Sequence, residues 1–308
     1  MAITKIKTAN RDEWKELRSQ YIGGSDAAAV VGLNQYASPY SLWAEKTGKT
    51  PGFGGNLATE VGTFLEEFVA QKFAEVTGKK VRKANQSFLN SQYPWAIANI
   101  DREIVGEDAG LEIKTTNEMN LKKFKGGEFP ANYYCQCVHY MAVTGKRRWY
   151  LAVLIGNREF KWFTIDRDDG EIAALMAAEE DFWECVKNDT PPAMDGLQAT
   201  AEALKAIYTD SNDETVADLF SHSADLKQYM RIGEQIKELE TMRNELANKV
   251  KGFMGEAAEG ECGGFKVSWR SNTRRTFDSK RFIEENPDID MSDYWKETST
   301  RIFRVSEI

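Results

Sequence analysis

Three residues whose types and spacing suit phosphate chemistry stand close together in this 308-residue chain: Asp101, Glu112 and Lys114. Successive side chains of a strand alternate faces, so Glu112 and Lys114 point one way and Ile113 the other. The intervening Val105-Gly106-Glu107-Asp108-Ala109-Gly110 reads as a turn. It folds the strand ending near Ile104 back beside the next and brings Asp101 next to Glu112. Two carboxylates on neighbouring strands suit a hard cation such as Mg²⁺, which takes oxygen ligands and keeps waters for phosphate; Mn²⁺ accepts the same oxygens. Such an ion lowers the pKa of a bound water and stabilises charge developing on phosphorus, and a lysine beside it can orient that water. A cross-strand salt bridge on a solvated hairpin face is the competing reading of the same residues.

The elements that must position them follow from periodicity. Strands are predicted near Val81–Leu89, Trp95–Val105 and Leu111–Thr115, followed by a helix from Pro130. A hairpin of Arg148–Ile155 and Arg158–Ile165 turns at Gly156-Asn157, and a helix runs from Asp168 to Lys187. Earlier, a helix from about Ala58 to Thr77 carries Val61, Phe64, Leu65, Phe68, Val69 and Phe73 as a core-facing stripe. Glu66 falls at the edge of that stripe and Glu67 points to solvent. Nearer the start, Asn10 and Glu13 read as a capping box for a helix through Leu17, stopped by Gly23-Gly24. Ser25 then caps a short helix through Val31, whose free N–H groups form an anion site to which Arg18 adds a fork-shaped contact. Ordinary capping beside a surface arginine is the alternative. Gln136 and Tyr140 lie one turn apart on the helix from Pro130.

Asp101-x(10)-Glu112-x-Lys114 resembles the PD-(D/E)xK nuclease signature, with Ile100 where many members carry proline. The wider context, over most of residues 10 to 195, resembles the YqaJ-type, lambda-exonuclease-like phage recombination nucleases. That resemblance implies an α/β (α+β restriction-endonuclease-like) fold, a central mixed β-sheet flanked by helices. It implies that Asp101, Glu112 and the Ile113 carbonyl hold metal with Glu66 as a further ligand, and that Lys114 aligns the water. Gln136 and Tyr140 match the group's Gln-x-x-x-Tyr motif and support the site. Arg18, Ser25 and Asn99 fall where the family binds a terminal 5′ phosphate. The implied activity is a Mg²⁺-dependent 5′→3′ double-strand DNA exonuclease of a phage or prophage. It would be a ring-shaped homo-oligomer of three or more subunits, working with a single-strand annealing protein in the cytoplasm of a bacterial host. Another nuclease of the superfamily, an endonuclease or RecB-like module, and a non-catalytic DNA-end-binding scaffold remain as alternatives.

Composition bounds these readings. A net charge of −8 argues against a generally basic DNA-coating surface and confines positive potential to a channel, for which Lys79, Lys80, Arg82, Lys83, Lys122, Lys123 and Lys125 are candidates. No apolar run approaches membrane-spanning length, and the first residues form no secretory segment. Cys135, Cys137, Cys185 and Cys262 form no zinc quartet and read as reduced thiols. His139 and His222 are the only histidines, which gives His-based triads and His-rich metal sites little support; His139 reads as a packed core residue. Gly48-Lys-Thr-Pro-Gly-Phe-Gly-Gly lacks the order of a phosphate-binding P-loop and reads as a mobile loop. The punctuated segment 188–196 ends a nuclease core of residues 1–197. Residues 198–308 form a C-terminal extension: a long amphipathic helix with an apolar stripe from Leu226 to Val250, then a small β segment at Phe265–Arg270 and Arg301–Val305.

Overall fold

Asn10 opens the first helix by accepting hydrogen bonds from the Asp12 and Glu13 amides, the pairing its spacing from Glu13 predicts. From there the computed structural model, which describes residues 2–297 and 299–306, builds two units, Met1–Tyr208 and Thr209–Ile308. The first unit begins β1 (Ile3–Ile6), α1 (Arg11–Ser19), β2 (Ile22–Gly23), α2 (Gly24–Val30), α3 (Pro39–Lys46) and α4 (Leu57–Thr77). Next come β3 (Val81–Lys83), β4 (Ser87–Asn90), β5 (Tyr93–Ala98), β6 (Arg102–Ile104), β7 (Ala109–Thr116) and α5 (Ala131–Thr144). It closes with β8 (Arg148–Ile155), β9 (Glu159–Asp166), α6 (Asp169–Lys187) and α7 (Gln198–Ile207).

These strands make two mixed sheets where one was expected: five strands in the order β3-β6-β7-β8-β9 and four in the order β1-β4-β5-β2. The predicted strand Val81–Leu89 divides into β3 and β4, and Trp95–Val105 into β5 and β6, each half in a different sheet. The second break, Asn99-Ile100-Asp101, is hidden in the sequence because Ile100 is buried and the apolar pattern runs on through it. At this crossing the chain leaves the smaller sheet with Asn99 and enters the larger one with Asp101.

β7 and β8 pair in parallel, Glu112 opposite Leu151 and Lys114 opposite Val153. Alternation sorts their side chains: Leu111, Ile113, Tyr150 and Ala152 pack with Val69, Ala70 and Phe73 of α4. Leu151, Val153 and Ile155 pack on the opposite face in a cluster that includes Val138, Met141 and Val143 of α5. The α4 stripe is only partly core-facing. Val61, Phe64 and Phe68 are exposed, because only the C-terminal half of the helix joins the packed cluster. The β8–β9 hairpin pairs Ile155 with Glu159, so its loop is Gly156-Asn157-Arg158 rather than a two-residue turn, with Gly156 at φ +55°.

The first unit extends past residue 197 to Tyr208, because α7 packs on α3. Thr200, buried on α7, donates from Oγ1 to Asp195 Oδ1 at 2.6 Å and lies 2.7 Å from Ser38 Oγ at the start of α3. The second unit contains α8 (Ser223–Met254), the hairpin β10 (Glu259–Cys262) and β11 (Phe265–Ser268), and α9 (Ser279–Glu285). Gly263 and Gly264 make the hairpin turn, whereas residues 301–305 form no strand. Among the described residues of this unit none is buried, and the α8 stripe Tyr229, Ile232, Ile236, Leu239, Met242, Leu246 and Val250 is exposed. No helix is long and apolar enough among the described residues to cross a membrane.

Candidate active site

β6 pairs with β7 only at Arg102–Leu111 and Glu103–Gly110, so the edge of β7 beyond Leu111 is open. Asp101 fills part of it: its Oδ2 accepts the Ile113 amide at 2.8 Å, a side chain standing in for a missing strand partner. Residues in a sheet turn their N–H and C=O to the same side, so the Ile113 carbonyl faces this same edge. Burial pushes the Asp101 carboxyl well above the usual carboxylate range; the Glu112 and Glu66 charges add to this and Lys114 opposes it.

Glu112 is 3% exposed and projects toward α5. Its Oε1 accepts from Lys114 Nζ at 2.6 Å and from Gln136 Nε2 at 2.8 Å, while Oε2 is buried without a partner. Gln136 is the hub of this cluster. Its Oε1 accepts from Lys114 Nζ at 2.8 Å, and its Nε2 also donates to Tyr140 Oη at 2.8 Å. Burial opposes the charge on Lys114, but Glu112 and then Asp101 outweigh it and hold the ammonium above its ordinary value. Tyr133 lies under the same ammonium, 5.4 Å from ring centroid to Nζ. Burial, with the Glu112 and Asp101 charges behind it, pushes the Tyr140 phenol well up, so it remains a neutral donor and acceptor.

Glu66 approaches from the other face of the sheet. α4 comes close because Gly62 has no side chain; a Cβ there would stand 3.2 Å from Thr115 Oγ1. Glu66 Oε1 is paired with Arg102 Nη1, and Glu67, expected to be merely solvated, accepts from Arg102 Nη2 at 2.9 Å. Arg102 is 2% exposed and also donates to the Asp101 carbonyl at 2.8 Å. It ties α4 to the crossing, and nothing in its spacing announced it. Among the described residues no three His, Cys, Asp or Glu side chains converge as a ready metal cluster, since Glu66 is drawn toward Arg102. The donor set nonetheless fits an oxygen-seeking cation. Glu112 Oε2 is buried without a partner, and the Glu112 charge adds to burial in raising Asp101, a repulsion that a bound cation would relieve.

Arg18, Ser25 and Asn99, the residues expected to hold an anion, also come together, with one change. Ser25 is not a cap: Gly23 precedes α2 and Asp26 closes the box, its Oδ2 accepting the Gly23 amide at 3.0 Å. Ser25 is exposed beside Arg18, whose Nη2 donates to its Oγ. Asp26 Oδ1 lies 3.6 Å from Arg18 and Oδ2 3.0 Å from Lys46 Nζ. Burial would raise the Asp26 carboxyl, but Lys46 and Arg18 hold it below its usual value. Lys46 thus supplies the larger counter-charge and Arg18 the smaller. Asn99 faces the same corner, its Oδ1 accepting from Trp14 Nε1 at 2.9 Å and Ser87 Oγ at 2.6 Å. Both halves of the site meet at Gly24. A Cβ there would fall 2.5 Å from Tyr140 Cε1, so α2 rests directly on the ring of Tyr140. Trp14, Asp26 and Lys46 complete this corner; Asp26 stood beside Ser25 in the sequence, but only the fold brings Lys46 and Trp14 to it. Of the candidate channel cations, Lys79 pairs with Glu107 and Arg82 with Glu103 at 2.7 Å.

The first unit has a restriction-endonuclease-like fold of mixed sheets flanked by helices. It is similar to the alkaline exonuclease LHK-Exo from Laribacter hongkongensis, with a TM-score of 0.51 and 22% identity, covering 58% of this chain and 94% of that one. Residues 13–147 match the YqaJ-like viral recombinase domain. The chain is also 38% identical to the uncharacterized protein YqaJ of Bacillus subtilis (strain 168), across 99% of this chain and 97% of that protein. It belongs to the YqaJ-like viral recombinase family.

Proposed function

We propose that this protein is a metal-dependent 5′→3′ exonuclease of double-stranded DNA that leaves 3′ single strands for phage-type annealing recombination. The observation that carries this reading is the meeting of Asp101, Glu112, Lys114 and Gln136 at one open strand edge, with one oxygen of Glu112 left unpartnered. Asp101, Glu112 and the Ile113 carbonyl would hold Mg²⁺ or Mn²⁺, assisted by Glu66; the ion supplies Lewis acidity and an acidified water when bound. Lys114, kept protonated by Glu112, orients a water toward phosphorus, and Gln136 fixes the Lys114 ammonium. Tyr140 braces Gln136. Arg18 and Ser25, with Asn99 beside them, hold the 5′ phosphate and set polarity. The exposed α8 stripe supports association, which we assign to a ring-shaped homo-oligomer of three or more subunits acting with an annealing protein in the bacterial cytoplasm.

The test compares 5′-phosphorylated linear, 5′-hydroxyl linear and closed circular duplexes in Mg²⁺, using wild type and Lys114→Ala. Degradation of linear DNA alone, lost in Lys114→Ala, is expected. Equal cutting of circles would mean an endonuclease, and an unaffected Lys114→Ala would remove the catalytic assignment. Arg18→Ala is expected to abolish the preference for a 5′ phosphate while leaving cleavage of 5′-hydroxyl ends in place.

A further inference from the structure

His139 and Glu179 are both 0% exposed, yet neither touches the Asp101, Glu112 and Lys114 cluster. His139 Nδ1 lies 2.8 Å from Glu179 Oε1 on α6, and its Nε2 lies 3.0 Å from the Ile97 carbonyl on β5. A carbonyl only accepts, so Nε2 carries a proton. Nδ1 faces a carboxyl oxygen, so a second proton must lie between them. Glu179 Oε2 and Trp95 Nε1 are both buried without a hydrogen-bond partner among the described residues. Burial raises the Glu179 carboxyl and His139 opposes that rise, so the buried pair shares the proton between Nδ1 and Oε1. Among the described residues the other titratable groups facing the pair are Asp26 from α2, itself held by Lys46 from α3, and Cys135 from α5; β5 contributes the Ile97 carbonyl and the neutral Trp95 indole. Burial opposes the charge on His139, but Glu179 outweighs it and holds the imidazole above its ordinary value.

The pair's position gives it work to do. β5 runs directly into Asn99 and Asp101, and α5 carries Gln136 one turn before His139 and Tyr140 immediately after it. We propose that His139 is a positioning residue which, with Glu179, clamps α5 to β5 and so holds Gln136 on Glu112 and Lys114. This deepens the nuclease reading above and rests on it. The clamp is complete while both ring nitrogens are protonated. It comes apart as pH rises through the raised His139 value, when a bare Nδ1 faces a carboxylate. Glu179→Gln removes that dependence, because an amide N–H can donate to a neutral Nδ1.

Since His139 and His222 are the only histidines, the full chain labelled with ¹⁵N-histidine displays two imidazoles, with the exposed His222 as an internal reference. His139 is expected to keep its second ring proton to a higher pH than a free imidazole does. A His139 that loses its second ring proton no later than a free imidazole does overturns the proposal. The Gln136 side-chain amide resonances are expected to shift with the His139 midpoint in wild type and to lose that shift in Glu179→Gln; an unmoved Gln136 overturns the positioning role. The double variant His139→Leu, Glu179→Leu exchanges the buried pair for apolar volume and is expected to fold. Its kcat should fall about 10–100-fold at unchanged KM for DNA, with Glu179→Gln within about twofold of wild type. An unchanged kcat in a folded double variant also overturns the proposal. A doubly protonated His139 in a chain that degrades no DNA would count against the nuclease reading and leave the clamp standing.

Discussion

Gln136 commits its whole amide: the oxygen to Lys114, the nitrogen to Glu112 and Tyr140. A leucine there fills the same space but leaves the Lys114 ammonium free to swing about Glu112 alone. Gln136→Leu is therefore expected to lower single-turnover DNA cleavage by about 10–100-fold, the usual cost of losing a residue that orients a reactive group. Glu112 Oε2 already lacks a partner, and the substitution also takes a donor from Oε1, so a melting curve should show a loss of about 1–3 kcal/mol. Roles at this scale were legible only in part. Asp101, Glu112, Lys114, Gln136 and Tyr140 were brought together by spacing and resemblance. Arg102 was not, because a buried arginine leaves no periodic trace and its partners Glu66 and Glu67 lie far off in sequence.

At the scale of elements, the close approaches decide the geometry. α2 can lie on Tyr140 only because residue 24 is glycine, and a Cβ at 2.5 Å from the ring must push helix or ring away. Gly24→Ala is expected to cost about 1–3 kcal/mol by overpacking and to weaken both cleavage and 5′-phosphate preference, since it displaces Tyr140 and Ser25 together. Thermal melting and the two-substrate assay check the two effects. Asp26 fastens the same helix to Arg18 and Lys46. Its folded pKa is depressed, so its contribution is full above the unfolded value and is lost as pH falls through the folded one. Asp26→Asn should therefore destabilise by about 1–3 kcal/mol at neutral pH, and its deficit against wild type should vanish in acid, below the depressed value. An undiminished deficit in acid would show that the ion pairs are not its origin. The Asn10 cap of α1, the helix from Pro130 and the alternation of β8 and β9 were readable in the sequence, whereas α3 and α7 were not. The two strand breaks were not, because only tertiary pairing decides which sheet receives each half.

For the whole molecule, every described buried side chain lies in Met1–Tyr208. Truncation after Tyr208 is expected to leave a cooperatively melting nuclease core with single-turnover cleavage intact, as the second unit brings no buried residue to its support. Truncation after Leu197 removes α7 with buried Ala199, Thr200 and Ala203, leaving the α3 surface bare. That shorter chain should melt several degrees lower, a shift expected from about 2–5 kcal/mol of lost packing. The Pro-Pro-containing exit at 188–196 reads as a linker in the sequence, whereas the helix that follows it packs back on α3 through Thr200 and Ser38.

The single hydrogen bond from the Ile113 amide to Asp101 makes that amide a clock. Its neighbours in β7 are shielded from deuterium by strand pairing, so they exchange when the sheet opens. Ile113 is shielded by one carboxylate and exchanges whenever that carboxylate turns away. Deuterium uptake at Ile113, compared with Leu111 two residues along the same strand, would time the motion of Asp101 alone, without DNA or turnover.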